Sequence, residues 1–149
     1  MTATAQALDS MTLNITQEIR VRASLEATFS ALLDEIGQYN QGQDGKPMPM
    51  KIEAWAGGRW YRDLGNGEGH LWGHVQAIKR PGLLEITGPL FISAPVVSSV
   101  QYRLSEVDGE TIIKFKHSAF GLLPDGLKDG VSLGWGNLHG RVQTRAEAR

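Results

Sequence analysis

The chain ends, over residues 127–149, in the stretch LKDGVSLGWGNLHGRVQTRAEAR. The large apolar residues of this stretch recur at intervals of four, four, three and four positions, at Leu127, Val131, Trp135, Leu138 and Val142. Because this is the period of one helix face, the pattern predicts a C-terminal helix with an apolar stripe. Glycines at positions 130, 134, 136 and 140 each cost about 1 kcal/mol relative to alanine inside a helix. Packing on a sheet, rather than intrinsic propensity, must therefore hold this helix.

The composition is that of a globular domain: 149 residues, of which 41% are hydrophobic and 21% charged. A formal net charge of -1 gives no electrostatic footprint for nucleic acid or an acidic membrane. The absence of cysteine excludes disulfides, thiol catalysis and thiolate metal sites. No apolar run approaches the ~18 residues of a membrane span. The first ten residues lack a signal-peptide pattern, so we expect a cytoplasmic protein. We also expect a flexible tail over residues 1–12 and one domain over residues 13–149.

The remaining pattern is one strand, one short helix and then several strands. Alternation predicts a strand over residues 13–22. Ser24 is a plausible N-cap and Gly37 a plausible end for a helix over residues 25–36. Residues 38–49 are polar and contain glycine and proline, so they predict a loop that forms a rim. Further strands are expected over residues 50–55, 59–64, 70–79 and 83–87, followed by a hairpin of residues 96–107 and 110–119. This order predicts an α+β fold in which a curved antiparallel sheet carries helices on one face.

Several short motifs follow one another in this frame: Gly57-Gly58-Arg59-Trp60-Tyr61; Gly73-His74-Val75 with Arg80-Pro81 and Leu83-Leu84; Gly109-Glu110-Thr111 with His117-Ser118-Ala119-Phe120-Gly121; and Gly134-Trp135 with Leu138. Their order and spacing over about residues 13–142 resemble the START-like (SRPBCC) superfamily, which includes the birch-pollen allergens. Within it, they are similar to the branch of Hsp-ninety ATPase activator homologues. The resemblance implies the helix-grip fold, in which the curved sheet wraps around a long C-terminal helix and a short helix follows the first strand. It also implies a cavity between sheet and helix, used in relatives for lipids, hormones or polyketides.

Histidines are the candidates for chemistry. His117 shares a strand face with Ile113 and Phe115, while Lys114 and Lys116 occupy the other, so His117 is expected to point inward. There it would contact a ligand, act as a general base, or be a structural residue satisfied by hydrogen bonds. His70 and His74 lie on one strand about 13 Å apart, too far to share a metal ion. We therefore expect neither a metal nor a cofactor.

The chain has four tryptophans, and aromatic side chains both fill cores and line apolar pockets. Two faces of the strand at residues 59–64 remain possible cavity walls: Trp60 with Arg62, or Tyr61 with Arg59 and Asp63. An arginine facing the cavity would favour a carboxylate or phenolate ligand. The candidate ligand-binding residues are Trp60, Tyr61, Trp72, Phe91, Tyr102, Phe115, His117, Phe120 and Trp135.

Three hypotheses about function follow. The first is a protein that binds a small hydrophobic or aromatic molecule in the cavity, as a monomer or homodimer, without assigned chemistry. The second is an enzyme of the polyketide cyclase or dehydratase type that uses His117 as its base. The third is a chaperone-associated or dimeric interaction domain with an exposed apolar patch along Leu90–Ile92. We favour the first; the sequence does not name the ligand.

Overall fold

The computed structural model describes the backbone of residues 3–149 and the side chains from residue 7 onward. Its seven strands form one sheet in the order β1-β7-β6-β5-β4-β3-β2, with every neighbouring pair antiparallel. This confirms the predicted α+β class, including the helix after the first strand. The elements are α1 Ala3–Ser10, β1 Thr12–Val21, α2 Leu25–Ile36, β2 Lys51–Ile52, β3 Arg59–Gly65, β4 Glu68–Lys79, β5 Leu83–Gly88, β6 Val96–Val107, β7 Glu110–Gly121 and α3 Leu127–Glu147.

The short helix α2 has the predicted ends. The Ser24 side chain accepts a hydrogen bond from the backbone N–H of Ala27 at 3.1 Å, which satisfies one of the free donors of the first turn. At the other end, the N–H of Gly37 donates to the carbonyl of Asp34 at 3.2 Å. The chain then leaves the helix as the loop over residues 38–50, which forms one wall of the site described below.

The hairpin of β6 and β7 joins two twelve-residue strands of the sheet. Asp108 and Gly109 at its turn both have positive φ, 54° and 78°, as a tight hairpin turn requires. Along β7, the side chains of Ile113, Phe115 and His117 are buried, whereas those of the intervening lysines are exposed. The predicted direction of His117 is therefore confirmed.

The helix α3 packs its apolar stripe on the concave face of the sheet, as predicted from its period. The buried residues of this stripe are Val131, Trp135, Leu138 and Val142. Irregular register between β3 and β4, at Trp60/Tyr61, and between β4 and β5, at Val75/Ala77, bends the sheet. Within residues 3–149, no helix has both the length and the apolar content to cross a bilayer.

Two predicted segments differ from the structure. Residues 3–10 of the expected tail form the short helix α1, and residues 1–2 of that tail lie outside the described residues. Only Lys51–Ile52 of the predicted strand over residues 50–55 pairs with β3. The remainder turns tightly: a Cβ placed on Gly58 would lie 1.9 Å from the carbonyl oxygen of Glu53. The Glu53 carboxylate also accepts from the backbone N–H of Arg59 at 2.8 Å, which holds this turn closed.

Candidate functional site

A large groove opens between α3 and the loop over residues 38–50. Its volume is about 1580 Å³, above the ~300–1,000 Å³ range of ordinary small-molecule pockets. Residues 40–48 of the loop form one wall and α3 forms the other. Four aromatic side chains also line the groove, and we call them the aromatic floor: Trp60 from β3, Trp72 from β4, Phe91 from the β5–β6 connection and Trp135 from α3.

The rings of the aromatic floor contact one another, edge to face at Trp60–Trp72 and Trp72–Phe91 and tilted at Phe91–Trp135. Trp72 lies 5.0 Å from Trp60 and 5.5 Å from Phe91, measured between ring centroids, and Phe91 lies 6.0 Å from Trp135. Each indole N–H is already used inside the protein: that of Trp60 donates to the carbonyl of Ile36 at 2.8 Å, and that of Trp72 to Nδ1 of His70 at 3.1 Å. The floor consequently offers no free indole donor, and Phe91 is its most exposed ring, because Trp60, Trp72 and Trp135 are buried.

The glycines of α3 widen the groove. Gly130 and Gly134 both line it. A Cβ added to Gly134 would meet no atom within 4 Å, and one added to Gly130 only the Gln43 amide nitrogen at 4.0 Å. These glycines therefore do not bring the helix closer to the sheet. They leave space on the wall of the groove that side chains would otherwise fill.

His117 lies behind the aromatic floor and is fully buried. Its Nδ1 accepts a hydrogen bond from the indole N–H of Trp135 at 3.0 Å. In the neutral ring Nε2 must then carry the proton and donate to the Ser98 hydroxyl, 2.9 Å away. Burial lowers the pKa of His117 to about 4, so the ring is neutral at pH 7. With both ring nitrogens engaged and no face on the groove, His117 does not fit the role of general base or ligand contact.

A second buried histidine, His139 on α3, was not among the predicted site residues. Its Nδ1 lies 2.7 Å from the amide oxygen of Gln17, which can only accept, so Nδ1 carries the proton. Its Nε2 therefore accepts from the Tyr102 hydroxyl at 2.8 Å. The Gln17 amide nitrogen in turn donates to the Ser132 carbonyl at 3.0 Å. Burial, with a smaller contribution from Arg141, lowers the pKa of His139 to about 3. The network joins β1, β6 and α3.

The predicted ligand-binding residues separate into three groups. Those that line the groove are Trp60, Trp72, Phe91 and Trp135. Buried behind the floor and away from the groove are Tyr102, Phe115 and His117. The remaining two, Tyr61 and Phe120, lie on the outer face of the sheet. There, the guanidinium carbon of Arg59 lies 4.6 Å from the centroid of the Tyr61 ring, and Phe120 is 49% exposed. The inward face of β3 is thus the Trp60 face, and Arg59 turns outward to pair with Glu53 at 2.7 Å.

A charged end of the groove was also missed from the sequence. Glu35 of α2 is buried, with its side chain 3% exposed, and lies between two arginines of α3. Its carboxylate accepts from Nε of Arg141 at 2.9 Å and from Nε of Arg145 at 2.6 Å. All three residues line the groove. The available signals were a glutamate on the apolar face of α2 and two arginines one helical turn apart.

No family model matches the sequence, and no curated protein matches it. Solved structures do resemble it. Ara h 8.0201 has a TM-score of 0.69 at 14% identity, covering 93% of this chain and 99% of its own. CalU16 from Micromonospora echinospora has a TM-score of 0.60 at 21% identity, and the match covers 91% of this chain and 84% of CalU16. The Aha1 dimer from Colwellia psychrerythraea has a TM-score of 0.67 at 16% identity, and the match covers 91% of this chain and 96% of the Aha1 chain.

These similarities extend over nearly the whole chain, while the identities are low. They therefore establish the architecture and not the activity. Together with the sheet order, the helix after the first strand and the long C-terminal helix, they confirm the fold that the sequence motifs implied. The chain has the helix-grip fold, which it shares with these solved structures.

Proposed function

We propose that this protein binds a small apolar or aromatic molecule in the groove between α3 and the loop over residues 38–50. The observation that carries the proposal is the aromatic floor at the base of an open cavity of about 1580 Å³. Covering the apolar surface that this cavity exposes gains free energy at about 25 cal/mol per Å². Because the indole N–H groups of the floor have partners in the protein, covering the rings leaves no donor unsatisfied.

The enzyme hypothesis built on His117 receives no support from this geometry. General base catalysis requires the base within hydrogen-bond reach of a substrate atom. His117 is separated from the groove by Trp135 and Phe91, whose rings lie 5.6 Å and 6.3 Å from it. The interaction-domain hypothesis also loses its predicted patch, since Leu90 and Ile92 are 0% and 3% exposed. Whether the protein is a monomer or a homodimer stays a prediction.

A blocking substitution tests the proposal. We expect N-phenyl-naphthylamine, an uncharged aromatic probe, to show saturable fluorescence enhancement with the unaltered protein. Gly134→Trp should weaken this binding at least about tenfold, which corresponds to ~1.4 kcal/mol, because a side chain at Gly134 projects into unoccupied space. The matched control is Leu133→Trp. Leu133 precedes Gly134 on α3, is 67% exposed and is not part of the groove wall.

Both variants should unfold with unchanged cooperativity in urea, which shows that they retain the fold. The control should bind the probe within about twofold of the unaltered protein. Equal binding by Gly134→Trp and Leu133→Trp would place the probe elsewhere and contradict the proposal. Absence of saturable binding to the unaltered protein would contradict it too.

A further inference from the structure

We infer that the charged end of the groove, formed by Arg141 and Arg145, is a subsite for the oxyanion head group of an elongated amphiphile. The apolar or aromatic end of the same molecule would lie on the aromatic floor. This inference rests on the proposed binding function and adds the chemical class of the ligand. The head group is a carboxylate, sulfonate or phosphate, which are the groups that paired guanidinium donors recognise.

The first support is the set of donors left over by Glu35. A guanidinium has five N–H groups, and Arg141 and Arg145 each use Nε toward the Glu35 carboxylate. Among the described residues, the terminal Nη groups of both arginines have no hydrogen-bond acceptor. Arg145 is further held by the Tyr39 ring, with its guanidinium carbon 4.0 Å from the ring centroid. Glu35 therefore orients both guanidinium groups, and Tyr39 that of Arg145, while the terminal Nη groups stay available as hydrogen-bond donors.

The second support is the local charge. Two guanidinium groups against the one carboxylate of Glu35 leave a net charge of +1 at this end. The third arginine on the groove, Arg149, is paired with Asp34 at 2.6 Å and adds little. The C-terminal turns of α3 supply partial negative charge, which the arginines outweigh. The side chains of Arg141 and Arg145 are only 24% and 31% exposed, so water screens an anion there less than at an open surface.

The third support is the distance between the two ends. A helix rises 1.5 Å per residue, so Arg141 lies about 10 Å and Arg145 about 16 Å along α3 from Gly134, beside the aromatic floor. A ligand that uses both ends must therefore separate its anionic group from its apolar end by about this length. An acyl chain or an extended multi-ring acid has these dimensions, and the groove volume of about 1580 Å³ accommodates either.

A matched pair of probes separates the head group from the apolar part. Dansylaminoundecanoate carries an aromatic group and a carboxylate at opposite ends of a chain, and its methyl ester lacks only the charge. We expect the acid to bind the unaltered protein more tightly than the ester, although the ester is the more hydrophobic molecule. Arg145→Gln should lower the affinity for the acid about tenfold and leave that for the ester within twofold.

Glu35→Gln provides a change of opposite sign. It keeps the shape of the side chain and one of the two acceptor oxygens, and it raises the local charge from +1 to +2. The affinity for the acid should therefore rise relative to that for the ester. If the ion pairs only held the structure together, Glu35→Gln would instead weaken the binding of both probes. The matched control is Arg80→Gln, because Arg80 pairs with Glu26 at 3.0 Å and does not line the groove.

The outcomes are distinguishable. If the unaltered protein binds neither probe, the proposed function itself fails. If it binds acid and ester equally, and Arg145→Gln changes neither, the head-group subsite is refuted while the binding function stands. Should a variant fail to fold, the salt dependence of the unaltered protein decides. Affinity for the acid must fall with rising ionic strength while that for the ester does not, and a salt-independent ratio overturns the inference.

Discussion

Trp135→Ala is expected to lower the free energy of unfolding by about 3–5 kcal/mol, the range for truncating a large core aromatic. Trp135 is 4% exposed and contacts the Phe115 ring with centroids 4.7 Å apart. It also stacks on His139 at an interplanar angle of 13°. Truncation leaves a void at the base of the groove and removes the N–H that donates to His117, so a buried ring nitrogen loses its partner.

Urea titration at neutral pH measures this change, with Trp55→Ala as the matched control. Trp55 is 60% exposed, so its truncation should change the free energy of unfolding by less than about 0.5 kcal/mol. A loss below about 1 kcal/mol for Trp135→Ala would mean that α3 is not held on the sheet through this residue. That result would contradict the packing on which the site depends.

The stability of the protein should fall steeply as the pH drops below about 6.5, because of the two buried neutral histidines. In the unfolded chain both titrate near pH 6.5, whereas burial lowers their pKa in the folded protein to about 4 for His117 and about 3 for His139. Between these values the unfolded state binds two more protons than the folded state. The contribution is fully present above pH 6.5 and is lost as the pH falls toward the folded pKa values, by up to about 2.7 kcal/mol per pH unit.

Urea titrations at a series of pH values from 7.5 to 5 test this linkage. We expect a loss of roughly 2–4 kcal/mol across the series. His139→Gln should lower the pH dependence by about half while the folded fraction remains measurable. A free energy of unfolding that stays constant from pH 7.5 to 5 would show that the histidines are not buried as described.

The elements predicted best from the sequence are those encoded by local pattern. The period of α3, the cap of α2 and the alternation of the β6–β7 hairpin each depend on neighbouring residues, and the structure confirms them. The segment over residues 50–55 was misjudged because the close approach of Gly58 to the Glu53 carbonyl is a contact across a turn. Alternation alone does not reveal such a contact.

The site was predictable only in part, for a physical reason. Residue type identified aromatic candidates. Which face of β3 points inward, that of Trp60 or that of Tyr61, depends on how the strand packs in the folded protein, and the structure buries Trp60. Glu35 and Arg141 are separated by 106 residues, as Gln17 and His139 are by 122. Gln17 is an interruption in the alternation of β1 when viewed in sequence. Its partner becomes evident only when α3 lies across the sheet.

The central claim is that a ligand covers the aromatic floor, and the indole N–H signals of the four tryptophans test it directly. In a titration with N-phenyl-naphthylamine followed by ¹H–¹⁵N correlation spectra, the signals of Trp60, Trp72 and Trp135 should shift together and saturate at a common dissociation constant. The signal of Trp55, which is 60% exposed and does not line the groove, should stay in place. Saturating shifts of Trp55 alone, or no shift of the other three signals, would contradict the account.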